Sequence, residues 1–220
     1  MLTHRRRAEA LSAVEVVVAV VAVGLLTTLV LRSWTRSREE ARATACMSIL
    51  QRYGQAFAEY ASDYGNVLPY ENVGDEGLGH TVWYDVLEVY MGPGNRTCPS
   101  VDSKVDAYQE GYRINSKLGR LSTIPPQPYR GLHSLGSRKR TVVLFDARYG
   151  GKKLSLKGQL KDVDYRHNGS LNVLFADWHV ERFSELGLEE ASGWMPPKVI
   201  WDPDAGRREP MNKRRKPLED

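Results

Sequence analysis

Cysteine is scarce in this sequence: there are two, Cys46 and Cys98, and no Cys-x-x-Cys pair. That removes the spacing on which small zinc modules and thioredoxin-like redox sites depend. Catalytic signatures are missing as well. The chain has no nucleophile elbow, no phosphate-binding P-loop, no His-Glu-x-x-His and no Gly-x-Gly-x-x-Gly fingerprint. Excess charge is missing from the body of the chain. Residues 1–10 carry +2 and residues 206–220 carry +3 of a formal total of +4, which leaves −1 for residues 11–205. The pI of about 9.0 therefore comes from the two ends, and a basic nucleic-acid-binding face is not expected. Residues 32–64 lack proline entirely, and their one glycine is Gly54.

What is present begins with one long apolar run. Leu11 to Leu31 reads LSAVEVVVAVVAVGLLTTLVL, roughly 20 residues with a single charge, the length that crosses a bilayer as a helix. His4-Arg5-Arg6-Arg7 stands before it, and the positive-inside rule keeps such a head cytoplasmic. A cleaved secretory signal has a shorter apolar core ending in a small-x-small site, whereas this core ends in Arg32-Ser33-Trp34. A plain anchor fits the length but leaves Glu15 unexplained. A carboxylate near the start of a membrane helix needs a partner or a function, unless it merely snorkels to the interface. Cutting after Ala10 would create a cationic amine on Leu11, four residues before Glu15. In a packed bundle, Glu15 of one copy could neutralise that amine of another.

Residues 32–64 continue as an amphipathic helix. Ile49, Tyr53, Phe57, Tyr60, Ala61 and Tyr64 recur at spacings of three and four, which makes one apolar face. Arg38, Glu39, Arg42, Arg52 and Glu59 fall opposite. Gly65 supplies a left-handed stop, and Pro69 follows. One helix of about 80 Å over residues 11–64 is expected; the alternative breaks it near Ser33.

Beyond residue 66 the pattern turns to short elements. Thr81–Met91 places Trp83, Leu87 and Tyr90 on one helical face. Thr141–Phe145 reads as a buried strand, Leu171–Ala176 as a second and His179–Phe183 as a third. Residues 124–128 form a proline-rich loop. The expected fold class is α+β, a long N-terminal helix packed on a small, mostly antiparallel sheet. The organisation is a basic leader (1–10), a membrane half of the helix (11–31), an amphipathic half (32–65), an exported α+β domain (66–195) and a basic tail (196–220). The last residues, 206–220, hold too little apolar surface to fold; they are a solvated end or a contact for anionic groups.

Several blocks carry a resemblance. Ala10-Leu11-Ser12-Ala13-Val14-Glu15 and the apolar run after it resemble the class III prepilin leader and cleavage site, with Ala10 where that family has Gly and Leu11 where it usually has Phe. Ala45-Cys46-Met47-Ser48-Ile49-Leu50-Gln51, Cys98-Pro99-Ser100 and Gly111-Tyr112-Arg113-Ile114-Asn115 are similar to later blocks of bacterial pseudopilins. Arg166 to Val180 resembles the prepilin-type processing-associated motif, a His, nine residues and then Asp-Gly, here His167 to Asp177 with Trp178 in place of the Gly. These blocks span roughly residues 10–183. The resemblance implies a type IV pilin-like subunit of pilin-like fold, processed by a prepilin peptidase after Ala10 and N-methylated at Leu11. Its implied partners are other pilin-like subunits, an assembly platform and the membrane. The implied location is the bacterial inner membrane, with the C-terminal domain exported, and the process served is secretion or pilus assembly. An enzyme, a cofactor and a nucleic-acid partner are not expected. The alternative is an uncleaved single-pass protein whose domain binds an envelope ligand.

Three local questions remain open at this level. Asp-Gly suits a type I′ turn, in which both central residues have positive φ; Trp178 would be strained there, so a different or longer turn is expected, with its ring packed on the surface or on a partner. His167, Asp177 and His179 are metal-ligand types, and a metal-dependent hydrolase could be built on them. A structural hydrogen bond from His167 to Asp177 or to backbone across the hairpin is the simpler reading, so no metal is assigned. Cys46 and Cys98 either form a disulfide, closing a loop worth on the order of 4 kcal/mol in the chain-entropy picture, or are two buried thiols. His133 is expected to be exposed.

Overall fold

The computed structural model describes residues 12–69, 72–73, 81–94, 96–101, 111–118, 131–148, 157–158, 160–193 and 198–203. The leader with Ala10 and Leu11, the proline-rich loop 124–128 and the tail 206–220 lie outside the described residues.

Helix α1 runs unbroken over Ala13–Asp63, about 75 Å at 1.5 Å per residue. The break considered near Ser33 does not occur. Ser12 caps its start and Glu15 completes a capping box: Glu15 N–H donates to Ser12 Oγ at 3.3 Å, and Ser12 N–H donates to Glu15 Oε2 at 2.8 Å. Tyr64 closes the helix, with Gly65 at φ 71° and Asn66 N–H returning to the Ala61 carbonyl at 2.6 Å. This is the left-handed stop that Gly allows without a Cβ penalty. Tyr64 itself is exposed rather than part of the apolar face, because the chain leaves the helix there.

The two halves of α1 behave differently. Buried positions begin at Ala43 and continue through Cys46, Ile49, Leu50, Tyr53, Ala56, Phe57, Tyr60 and Ala61. Val14 through Trp34 is exposed throughout, with a window of mean hydropathy 2.6 of which none is buried. The first half is thus long and apolar enough to cross a membrane once.

Strands β1 (Asn72–Val73) and β2 (Thr81–Val82) form a two-stranded antiparallel ribbon leading into α2 (Trp83–Met91). Trp83, Tyr84, Leu87 and Met91 of α2 are buried against α1, while Tyr90 is half-buried and donates from its hydroxyl to Asp63 at 3.0 Å. The main sheet contains β3 (Tyr112–Asn115), β4 (Val142–Asp146), β5 (Lys157–Gly158), β6 (Ser170–Phe175) and β7 (Val180–Ser184), in the order β5-β3-β4-β6-β7. Four strands are antiparallel neighbours; β5 joins the edge parallel to β3. Helix α3 (Glu185–Gly193) follows β7. The fold is α+β, with the long helix laid on the sheet.

Side-chain alternation divides the core. In β6, Leu174 and then Ala176 face α1 and α2, whereas Leu171, Val173 and Phe175 face a second cluster with Val142, Phe145, Leu188 and Val199. Strand β4 is buried on both faces, which is why its sequence reads as a continuous apolar run rather than an alternation. Asn115 is fully buried and satisfied: Nδ2 donates to the carbonyls of Val142 and Trp201 at 2.9 Å each, and Oδ1 accepts from Lys117 N–H. Gly54 lets α1 approach the sheet. A Cβ there would stand 3.0 Å from Leu174 Cδ1 and 3.1 Å from the Trp178 carbonyl oxygen.

Candidate functional site

Two turns flank β6, and they sort the residues of the His-to-Asp motif. Before the strand, Asn168 (φ 51°) and Gly169 (φ 79°) form a two-residue turn, closed by reciprocal 3.0 Å hydrogen bonds between the backbones of His167 and Ser170. Asn-Gly favours this geometry because both central residues tolerate positive φ. After the strand, Trp178 N–H returns to the Phe175 carbonyl at 2.9 Å and Phe175 N–H donates to the His179 carbonyl at 3.0 Å. This loop has three residues, with only Trp178, at φ 76°, in the left-handed region. The turn therefore differs from type I′, as expected. The Trp178 ring stacks on Phe57 (centroids 5.8 Å apart, planes at 1°) and lies under the Arg138 guanidinium at 5.8 Å. Its partner is the chain's own helix.

His167 and Asp177 are not brought together. Six strand residues, about 20 Å at 3.3 Å each, lie between the two turns. The expected hydrogen bond between them is replaced by separate partners: Asp177 Oδ1 pairs with His179 Nδ1, whose ring stacks on Phe175 at 4.4 Å. The trio His167, Asp177 and His179 is therefore no site. His133 is exposed on a short 3-10 turn.

His167 instead points under the helix into a buried polar cluster. Its Nε2 is 3.3 Å from Asp146 Oδ2 and 3.6 Å from Cys98 Sγ. The Cys46 thiol donates to Asp146 Oδ1 at 3.1 Å, and its Sγ is 3.0 Å from the Tyr112 hydroxyl. One donor atom each from Cys46, Cys98, Asp146 and His167 lies within 4.8 Å of the other three, and none of the four residues is more than 1% exposed. The two cysteines are adjacent in this cluster as free thiols. Each of the four comes from a different segment: α1, the loop after α2, the end of β4 and the turn before β6.

A shell of hydrogen bonds holds these groups. His167 Nδ1 is 3.0 Å from Glu39 Oε1, which also accepts from Ser100 Oγ at 2.6 Å. Asp146 Oδ2 accepts from Asn172 N–H at 2.7 Å. The Arg166 guanidinium bonds the Ala147 carbonyl and Asp164 (3.0 Å) while lying close to the cluster. Beside it, Glu40 accepts from Asn168 Nδ2 at 3.0 Å and Arg182 Nη1 at 2.8 Å, tying α1 to the turn and to β7.

Burial disfavours charge on His167, but hydrogen bonds to Asp146, Cys98 and Glu39 outweigh it and raise its pKa to about 10. The neighbouring Cys46 thiol pulls the Cys98 thiol down despite burial, helped by His167. Burial pushes Cys46 up.

Sequence reasoning singled out His167, Cys46 and Cys98 but missed Asp146, Glu39 and Tyr112 as their neighbours. Glu39 was assigned to the solvent face, yet it precedes Cys46 by seven residues, two helical turns, and so shares its face. Asp146 is a lone acid closing the apolar run of β4.

No protein-family model, curated protein or solved structure matches the chain.

Proposed function

We propose that the chain is a non-enzymatic, pilin-like structural subunit of an envelope secretion or pilus assembly. What supports this is the form of α1: a bare apolar half joined without a break to a half that forms the spine of an α+β head. More than ten large apolar side chains between Val14 and Trp34 are exposed. A surface of that size requires lipid or the helices of other subunits. The leader-like residues Ala10 to Glu15 and the His167–Asp177 block favour the pilin-like reading over a generic anchor. In the proposed life cycle a prepilin peptidase cuts after Ala10 at the inner membrane, with the head exported, and an assembly platform stacks α1 against other subunits. Glu15 then exchanges its bond to Ser12 for the Leu11 amine of a neighbour.

Mass spectrometry of the N-terminal peptide from native membranes tests processing: a chain beginning at N-methylated Leu11 is expected. The capping box favours one rival, because it gives Glu15 a partner within its own chain. An uncleaved anchor with an envelope-binding head would keep residues 1–10, and their detection in the mature protein would replace the subunit reading with this one. Glu15→Ala is expected to reduce assembly strongly while leaving the head's unfolding midpoint unchanged. Normal incorporation of that variant would refute the charge-pairing role.

A further inference from the structure

We propose that Cys46, Cys98, Asp146 and His167 form a closed structural site for one zinc-type divalent cation, which ties the long helix to the sheet. The sequence reading weighed a metal only at His167, Asp177 and His179 and preferred a structural hydrogen bond there; the four ligands proposed here are scattered over 122 positions with no zinc-module spacing, and only the fold assembles them.

The donor atoms stand close to metal-shell spacing. Metal–sulfur bonds of about 2.3 Å and metal–nitrogen or metal–oxygen bonds of about 2.0 Å, arranged tetrahedrally, separate neighbouring donors by roughly 3.3–3.8 Å. Asp146 Oδ2 to His167 Nε2 at 3.3 Å and His167 Nε2 to Cys98 Sγ at 3.6 Å fall in that range; Cys46 Sγ stands 3.1 Å from the other carboxylate oxygen, Oδ1, and one donor atom from each of the four residues lies within 4.8 Å of the rest, so small side-chain shifts complete the shell. Two sulfurs, one imidazole and one carboxylate suit zinc and exclude calcium and magnesium, which take oxygen ligands. All four residues are shut from solvent, so a substrate has no approach to the site.

The outer shell fits as well. A ligating histidine ordinarily donates its second ring nitrogen to a carboxylate, which fixes the tautomer and strengthens the ligand. Here Glu39 accepts from Nδ1 at 3.0 Å and is itself held by Ser100, leaving Nε2 directed at the thiols and Asp146. The Tyr112 hydroxyl lies 3.0 Å from Cys46 Sγ and Asn172 N–H holds Asp146. Two thiolates and one carboxylate would oppose the dication, with the Arg166 guanidinium close by, and the displaced thiol and imidazole protons leave to solvent. The site is independent of how the apolar half of α1 is used.

The test uses the full chain in detergent, reduced and metal-free, titrated with cobalt(II). One ion per chain is expected, with a thiolate-to-cobalt charge-transfer band that reports sulfur ligation in the wild type without any variant. Cys98→Ser should weaken binding at least about 100-fold and abolish most of that band. Glu39→Gln, a positioning change, should weaken it about 10–100-fold with the band retained. His179→Gln, outside the cluster, should change neither. Protein isolated from native membranes should carry zinc and two alkylatable thiols. Failure of the reduced wild type to take up one cobalt per chain, or a titration without the sulfur band, overturns the site. So does native protein recovered metal-free with a Cys46–Cys98 disulfide.

Discussion

Trp178 sits where glycine would be favoured, and replacing it by Gly and by Ala separates two opposed contributions. At φ 76° a residue with a Cβ costs roughly 1–2 kcal/mol relative to Gly. Against that, the ring stacks on Phe57, worth about 0.5–1.5 kcal/mol. It also faces Arg138, worth about 0.5–1 kcal/mol, and its partial burial adds on the order of 1 kcal/mol. These overlap, so the packing amounts to about 2–3 kcal/mol. Trp178→Gly loses the packing but relieves the backbone, and should destabilise the head by about 0–2 kcal/mol. Trp178→Ala loses the packing and keeps the strain, so it should be about 1–2 kcal/mol worse than Gly. Urea unfolding of the full chain in detergent measures both, with the fully buried Trp83 as the fluorescent reporter. If Ala equals or exceeds Gly in stability, the left-handed turn is not what constrains this position. If Gly exceeds the wild type, the stack on Phe57 is not what retains the Trp.

Gly54→Ala gains about 1 kcal/mol of helix propensity but drives a Cβ to within 3.1 Å of the Trp178 carbonyl oxygen. That oxygen belongs to a constrained turn, so a net loss of about 1–2 kcal/mol is expected, and a rise in unfolding midpoint would show that the turn yields. Glu40 carries a pKa lowered from 4.5 by hydrogen bonds from Asn168 and then Arg182. Its contribution should be present above about pH 4.5 and lost as pH falls through the lowered value; the stability gap between wild type and Glu40→Gln should therefore close on acidification. A gap independent of pH would mean that the clasp contributes through packing alone.

The large features follow from local rules that one stretch of sequence can express. An apolar run of bilayer length, a heptad-like face from Ile49 to Ala61 and a glycine stop at Gly65 determine α1. The apolar runs Val142–Phe145 and Val173–Phe175 determine β4 and β6, because strands buried on both faces need apolar side chains at nearly every position. Asn168-Gly169 determines its own turn, since the required φ values are a property of those two residues.

The cluster around His167 was decided only by tertiary structure. Its members lie on a helix, two loops and a strand end, and no local rule links Cys46 to Asp146 a hundred residues later. Glu39 reads as a solvated charge until the turn before β6 is laid across its helix. The same contact reverses the meaning of the His-to-Asp block: its spacing suggests a pair, but β6 holds the two ends apart, sending His167 beneath α1 and Asp177 to the opposite end of the sheet. Pairing between distant segments depends on how the sheet is ordered and where the helix crosses it, and those are settled by burying two apolar faces at once rather than by any residue's own preference.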